Sequence, residues 1–139
     1  MKSMLALADQ VRETSYSIHT YLRHGHVERV YENALVHRLR KLGHTVEQQV
    51  RMAVFGEDGT ILGDYVADLR VDGQLLVEVK ATKMLIPEHT AQILGYMRAT
   101  EMHHGMLINF GAPRLQVRKY ILQNRLNICF APGTHHPLL

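Results

Sequence analysis

With 139 residues, 46% of them apolar and 21% charged, the chain has the composition of a globular protein and the length of one domain rather than two. Its formal charge of +3 permits an anionic partner without demanding one, and its single cysteine, Cys129, excludes an internal disulfide and a cysteine-built zinc cluster. The opening MKSMLALADQ has no apolar run of signal-peptide length and no stretch approaches a membrane span, so a cytoplasmic protein is expected.

Val11, Ile18 and Leu22 stand at helical spacing and predict a first helix over about Ser3 to Leu22, stopped by Arg23-His24-Gly25. A second helix is expected from about Val27 to Leu42, ending at Gly43, with Tyr31, Leu35, Leu39 and Leu42 as its buried stripe. Glu28 falls in the middle of that stripe. A carboxylate aimed at a core needs a donor, a basic side chain or a cation. At a first turn it can instead fold back on its own helix amides, and both readings stand at this point.

Strands follow at about Val46 to Phe55 and Leu62 to Val71, joined through Glu57-Asp58-Gly59, and the second runs into a hairpin, YVADLRVDGQLLVEVK, from Tyr65 to Lys80. A two-residue turn at Asp72-Gly73 would send Asp68 and Glu78 to opposite sides and mix polar with apolar groups on both faces. A three-residue loop, a type I turn plus bulge with Gly73 left-handed, pairs Val71 with Leu75 instead. Ala67, Leu69 and Val71 then face Val79, Val77 and Leu75 on an apolar side, while Asp68 opposes Glu78 and Val66 opposes Lys80 on the other.

Two carboxylates so placed, about 5 Å apart, repel by roughly 3 kcal/mol at an effective dielectric near 20. Lys80 offsets part of this, and a hard divalent cation, magnesium or manganese, would offset the rest through oxygen ligands. The plainer alternative is a solvated strand face. Val66 and Leu76 on the same side speak against it.

A third helix is expected over about Pro87 to Glu101, with proline at its first position. Ile93, Leu94 and Met97 form its apolar stripe; His89, Gln92 and Tyr96, at i, i+3 and i+7, form a polar one. Gly105 to Phe110 is a compact apolar strand that the helix can carry parallel to an earlier one, and Leu115 to Leu122 is another. The segment from Asn124 is weakly patterned and expected at the surface or a partner interface. Arg38, Arg40 and Lys41, then Arg114, Arg118, Lys119 and Arg125, offer two sources of phosphate contacts. The ten histidines make no zinc-ligand spacing, and His103-His104 and His135-His136 read as solvated pairs.

Gly25-x-x-Glu28-x-x-Tyr31, Asp68, Glu78-x-Lys80 and Gln92-x-x-x-Tyr96, in that order, resemble the GxxExxY protein family and through it the PD-(D/E)XK nuclease superfamily. The Gln92/Tyr96 pair is similar to the QxxxY motif of its RecB-like and lambda-exonuclease-like branches, and Ala99 to Pro113 resembles the family's strand after the third helix. The likeness runs from about 17 to 122 of a single domain, leaving 123–139 as a tail. Arg23 stands where relatives are expected to carry a second glycine, and Ala67 replaces the superfamily's proline before Asp68.

The resemblance implies an α/β fold of the α+β mixed-sheet kind: a restriction-endonuclease-like core with an antiparallel meander, a crossover helix and further strands, flanked by helices. It also implies a Mg²⁺- or Mn²⁺-dependent nuclease acting on nucleic acid, DNA before RNA. Asp68 and Glu78 would be metal ligands, helped by the Val79 carbonyl, with Glu28 as a further ligand or water holder. Lys80 would orient the attacking water or stabilise charge on the phosphate, and Gln92 and Tyr96 would hold the site or the scissile strand. A second expectation is a non-catalytic nucleic-acid-binding or assembly module that keeps the fold, as a homodimer or beside another subunit.

Overall fold

The computed structural model describes residues 3–123 and the strand at 128–130. Its elements run α1 (Met4–Leu22), α2 (Glu28–Lys41), β1 (Val46–Phe55), β2 (Ile61–Val71), β3 (Leu75–Lys80), α3 (Pro87–Thr100), β4 (His104–Asn109), β5 (Gln116–Leu122) and β6 (Ile128–Phe130). Ser3 caps α1 by accepting the Ala6 N–H at 3.1 Å, and Pro87 opens α3, where its missing N–H costs nothing. No described helix is long and apolar enough to cross a membrane.

The strands form one mixed sheet in the order β1-β2-β3-β4-β5-β6. β3 and β4 are parallel, joined by the α3 crossover as expected; the other neighbours are antiparallel. β3 is central and buried from Leu75 to Val79. Leu75, Val77 and Val79 pack with Tyr31, Leu35, Leu39 and Ile18 of the α1/α2 layer, while Leu76 joins Ile93, Leu94 and Met97 of α3 on the opposite face. A strand covered on both faces needs a nearly continuous apolar run, and each such side chain contributes about 1.5–3 kcal/mol by leaving water.

The hairpin has the expected register, with Val71 opposite Leu75 and Leu69 opposite Val77. Its turn differs: Asp72 (φ 52) is left-handed as well as Gly73 (φ 66), and the Gln74 N–H donates to the Val71 carbonyl at 3.0 Å. This is the twist of a type I′ turn rather than a type I turn plus bulge. Asp72 tolerates the conformation because it is tied on three sides. Its carboxylate accepts the Thr45 N–H at 2.9 Å and lies 2.8 Å from His44 Nδ1, and its own N–H donates to the Thr45 carbonyl.

The apolar face does not continue through Ala67 as the alternation predicts. The β2–β3 ladder stops at Leu69↔Val77, one step short of Asp68 and Glu78, and the β1–β2 register passes from Gln48↔Leu69 to Val50↔Ala67 without pairing Gln49 with Asp68. Gln49 is left-handed there, with φ 55. One such residue breaks the side-to-side alternation. Leu69 and Val71 stay in the α1/α2 layer, whereas Ala67, Tyr65 and Met52 join the α3 layer. Asp68 therefore sits at a kink where the sheet opens.

On α2 the buried face is Tyr31, Glu32, Leu35, Val36 and Leu39, and Leu42, the C-cap, is 51% exposed. The helix is rotated toward β1 relative to the expected stripe. Glu28 is consequently exposed, not buried, and Glu32 takes the inward place, 2% exposed.

Of the His103-His104 pair, His103 is exposed as expected, its Nδ1 2.8 Å from the Leu122 carbonyl, whereas His104 opens β4 half-buried, with burial lowering its pKa. Arg118 and Lys119 do not form one cationic patch. Arg118 reaches Thr90 Oγ1 of α3 at 3.5 Å, while Lys119 borders Met4, Leu5 and Ala8 of α1 across the sheet. The weakly patterned tail supplies β6, which pairs with β5; Arg125 and His135-His136 lie outside the described residues.

Candidate active site

At the kink the side chains of Asp68 and Glu78 occupy backbone groups that the ladder leaves free. Asp68 Oδ2 accepts the Val79 N–H at 2.8 Å, and Glu78 Oε1 accepts the Asp68 N–H at 3.2 Å. Each acid thus grips the opposite strand. Glu78 Oε1 also accepts the Tyr65 hydroxyl, while Glu78 Oε2 has no hydrogen-bond partner among the described residues. Glu78 is 8% exposed, and this burial pushes its pKa up to about 7, against the lowering effects of the Asp68 N–H and the Lys80 ammonium. Burial likewise raises Asp68, opposed first by the Val79 N–H.

Glu28 stands at the mouth of the notch, on the first turn of α2. Although its surface is open, partial desolvation raises its pKa, Lys80 lowers it, and Asp68 and Glu32 raise it further. Lys80 acts on Glu28, Asp68 and Glu78 alike, so the four expected groups share one electrostatic neighbourhood. The end of β3 that carries Lys80 is fastened by Asn109. Its side chain accepts the Thr82 and Gly111 N–H groups at 3.0 Å each and donates to the Thr82 carbonyl at 3.1 Å, while Phe110 N–H donates to the Lys80 carbonyl at 2.8 Å.

A fourth carboxylate, Glu32, joins them, and sequence reading had not marked it. Gln49 Nε2 lies 3.1 Å from both Glu32 oxygens and 3.4 Å from Asp68 Oδ1, a neutral donor between two acids, and Gln48 Nε2 donates to Glu32 Oε2 at 2.6 Å. The left-handed backbone of Gln49 aims this amide, a local strain of order 1–3 kcal/mol held where the chemistry needs it. Glu32 had one visible signal: it is one turn past Glu28 on the same helix side. Gln49 had none, since glutamine does not announce positive φ.

The glycine-to-tyrosine spacing before α2 has a mechanical basis. Gly25 has φ 117, and Tyr31, stacked on Phe110 with centroids 4.8 Å apart, donates its hydroxyl to the Arg23 carbonyl at 2.5 Å and accepts the His26 N–H at 3.1 Å. The loop that presents Glu28 is thereby pinned to the core.

On the α3 side Gln92 donates to the Tyr96 hydroxyl at 2.9 Å, and Tyr96 stacks on Tyr65 at 3.6 Å between centroids. Tyr96 therefore connects to Glu78 through Tyr65, a residue the alternation alone assigns to the wrong layer. His89, on the same stripe, accepts the Ile86 N–H through Nδ1, and burial followed by Lys80 lowers its pKa.

The donor chemistry suits a hard cation: carboxylate oxygens in excess over Lys80 and Arg29, with Oε2 of the buried Glu78 making no hydrogen bond among the described residues. Among the described residues, however, no three carboxylate, histidine or cysteine side chains are gathered closely enough to enclose an ion. Asp68 and Glu78 spend one oxygen each on the opposite strand. Across the chain, a sequence model of the PD-(D/E)XK nuclease superfamily matches residues 6–120. No curated protein and no solved structure matches it.

Proposed function

From the premise that the chain belongs to the PD-(D/E)XK nuclease superfamily, we propose that it is a nuclease hydrolysing phosphodiester bonds of nucleic acid, DNA in preference to RNA, with Mg²⁺ or Mn²⁺. Within the superfamily we place it in the GxxExxY branch, which the pinned Gly25–Tyr31 loop ahead of Glu28 supports. The observation that carries the reading is the gathering of Glu28, Asp68, Glu78 and Lys80 in one electrostatic neighbourhood at a break in the sheet, with Oε2 of the buried Glu78 lacking a hydrogen-bond partner among the described residues.

Asp68 and Glu78 would hold the ion with the Val79 carbonyl, and Glu28 would bind it or a water beside it. Such an ion, when bound, polarises the phosphate and lowers the pKa of its water. The chain's own groups do the rest. Val79 N–H, Asp68 N–H and the Tyr65 hydroxyl fix the two acids before substrate arrives, so little reorganisation remains. Lys80, beside these acids, orients the nucleophilic water or meets charge developing on the phosphate. Gln92 and Tyr96 act on Glu78 through Tyr65 rather than by chemistry of their own.

Cleavage of plasmid, linear duplex, single-stranded DNA and RNA should require Mg²⁺ or Mn²⁺, stop with EDTA and fall at least about 100-fold in Lys80→Ala. Cleavage that persists equally in that variant would refute the reading. One observation favours a second reading, a binding or assembly module that keeps the fold without catalysis: among the described residues no three of the acids stand close enough to enclose an ion. In that case the protein binds nucleic acid and neither metal binding nor cleavage is measurable.

A further inference from the structure

The cationic residues at the end of α2 are the charged cluster that the fold leaves facing outward. Asn33, Val36, His37, Arg40 and Lys41 of α2 and Gln48 of β1 line an open groove of about 470 Å³ beside the edge strand. No carboxylate lines it. The adjacent acid in sequence, Glu47, is gripped by Arg70 through two bonds of 2.7 and 2.8 Å. His37 and Lys41 have neither an ion pair nor a side-chain hydrogen bond among the described residues, and both are exposed. Arg40 donates one N–H group to the Val46 carbonyl at 2.7 Å.

Hydrogen bonds link the wall of the groove to the acidic site. Gln48 in its wall donates both to Asn33 Oδ1 at 2.7 Å and to Glu32, which Gln49 joins to Asp68. Arg29, 59% exposed, stands on the same side of α2 one turn before Asn33. At 1.5 Å per residue, Arg29 to Lys41 spans about 18 Å, or about five nucleotide steps of 3.4 Å. Helix-dipole stabilisation accounts for basic residues in a last turn. It does not account for Arg40 and Lys41 opening, beside His37 and with no carboxylate facing them, into one groove.

We propose that this groove carries the sugar-phosphate backbone of a nucleic-acid strand toward the notch at Asp68 and Glu78. The proposal rests on the nuclease reading for what happens at the notch, but not for binding itself. The lining offers the Arg40 and Lys41 cations, the Asn33 and Gln48 amides and the His37 imidazole, but no phenylalanine, tyrosine or tryptophan ring, so its contacts are to phosphate and independent of sequence.

The test is fluorescence anisotropy of the intact protein with labelled single-stranded and duplex oligonucleotides, in EDTA so that nothing is cut, over a range of salt. Lys41→Glu and the double variant His37→Ala/Lys41→Ala should weaken binding about tenfold or more and reduce the log–log salt slope by about 1 to 2. Lys119→Ala, which removes a cation on β5, four strands away from the groove, should change neither. Circular dichroism confirms that each variant is folded. Groove variants that bind as the parent does, an equal loss in Lys119→Ala, or a parent that binds polyglutamate and no oligonucleotide would each overturn the proposal. Calorimetry of the parent with MnCl₂ separates the two readings: absence of metal binding refutes the nuclease, while an unchanged salt slope refutes the groove.

Discussion

Replacing Glu78 by glutamine should trade function for stability in a way that pH reveals. Burial raises the Glu78 pKa from 4.5 to about 7. A group whose folded pKa lies above its unfolded one contributes stability in full below the unfolded value and loses it as pH rises through the folded value. The difference of about 2.5 units, at 1.36 kcal/mol per unit, makes the native state about 3 kcal/mol less stable above pH 8 than below pH 4.5 on account of this one carboxylate. Glu78→Gln cannot ionise and escapes that loss. Its new amide N–H group falls where Glu78 Oε2 has no partner, which adds an offset independent of pH, of order 1–3 kcal/mol. The stability difference between variant and parent should therefore swing by about 3 kcal/mol in favour of the variant between pH 4.5 and 8.5, whatever its starting sign. Urea denaturation in EDTA at several pH values measures this. Added Mn²⁺ at about 100 times its Kd should return about 2.7 kcal/mol to the parent and far less to the variant. Parallel pH profiles for the two proteins would refute the account of Glu78 as a carboxylate held in reserve for a cation.

Gly111→Ala should cost more than Gly105→Ala, because its new Cβ would meet the Ala81 and Thr82 backbone at 2.3 Å, whereas at Gly105 it meets the Met97 side chain at 2.6 Å, which can shift. Thermal denaturation should show about 3 kcal/mol or more against about 1–2 kcal/mol, the overpacking range. Glu32→Ala leaves the Gln48 and Gln49 amides without their common acceptor and should destabilise the fold by about 1–3 kcal/mol, read by urea denaturation. Tyr31→Phe frees the Arg23 carbonyl and His26 N–H and should cost about 1 kcal/mol, with proteolysis between Arg23 and Val27 faster than in the parent.

Local pattern carried far along this chain because its central strand is buried on both faces and its turns are marked. The alternation of apolar residues alone requires Val71 opposite Leu75, since a slip of one residue would turn Leu69 and Val77 out of the core. Proline at 87 and the apolar spacing of Ile93, Leu94 and Met97 located the crossover helix and, through it, the parallel pairing of β3 with β4. Asp68, Glu78 and Lys80 could be put on one side by arithmetic. What arithmetic cannot supply is a place where the ladder stops.

The amino-acid order by itself determined the helices, the strands and the hairpin register, because these follow from periods of two and 3.6 residues acting over short distances. Only the tertiary structure decided that α2 turns toward β1, burying Glu32 and leaving Glu28 at the mouth. It also decided that Gln49 goes left-handed to bridge Glu32 and Asp68, and that Tyr96 reaches Glu78 through Tyr65. Each of these depends on how separate elements settle against one another, where a rotation of part of a turn or one reversed φ costs little locally and changes which side chains meet.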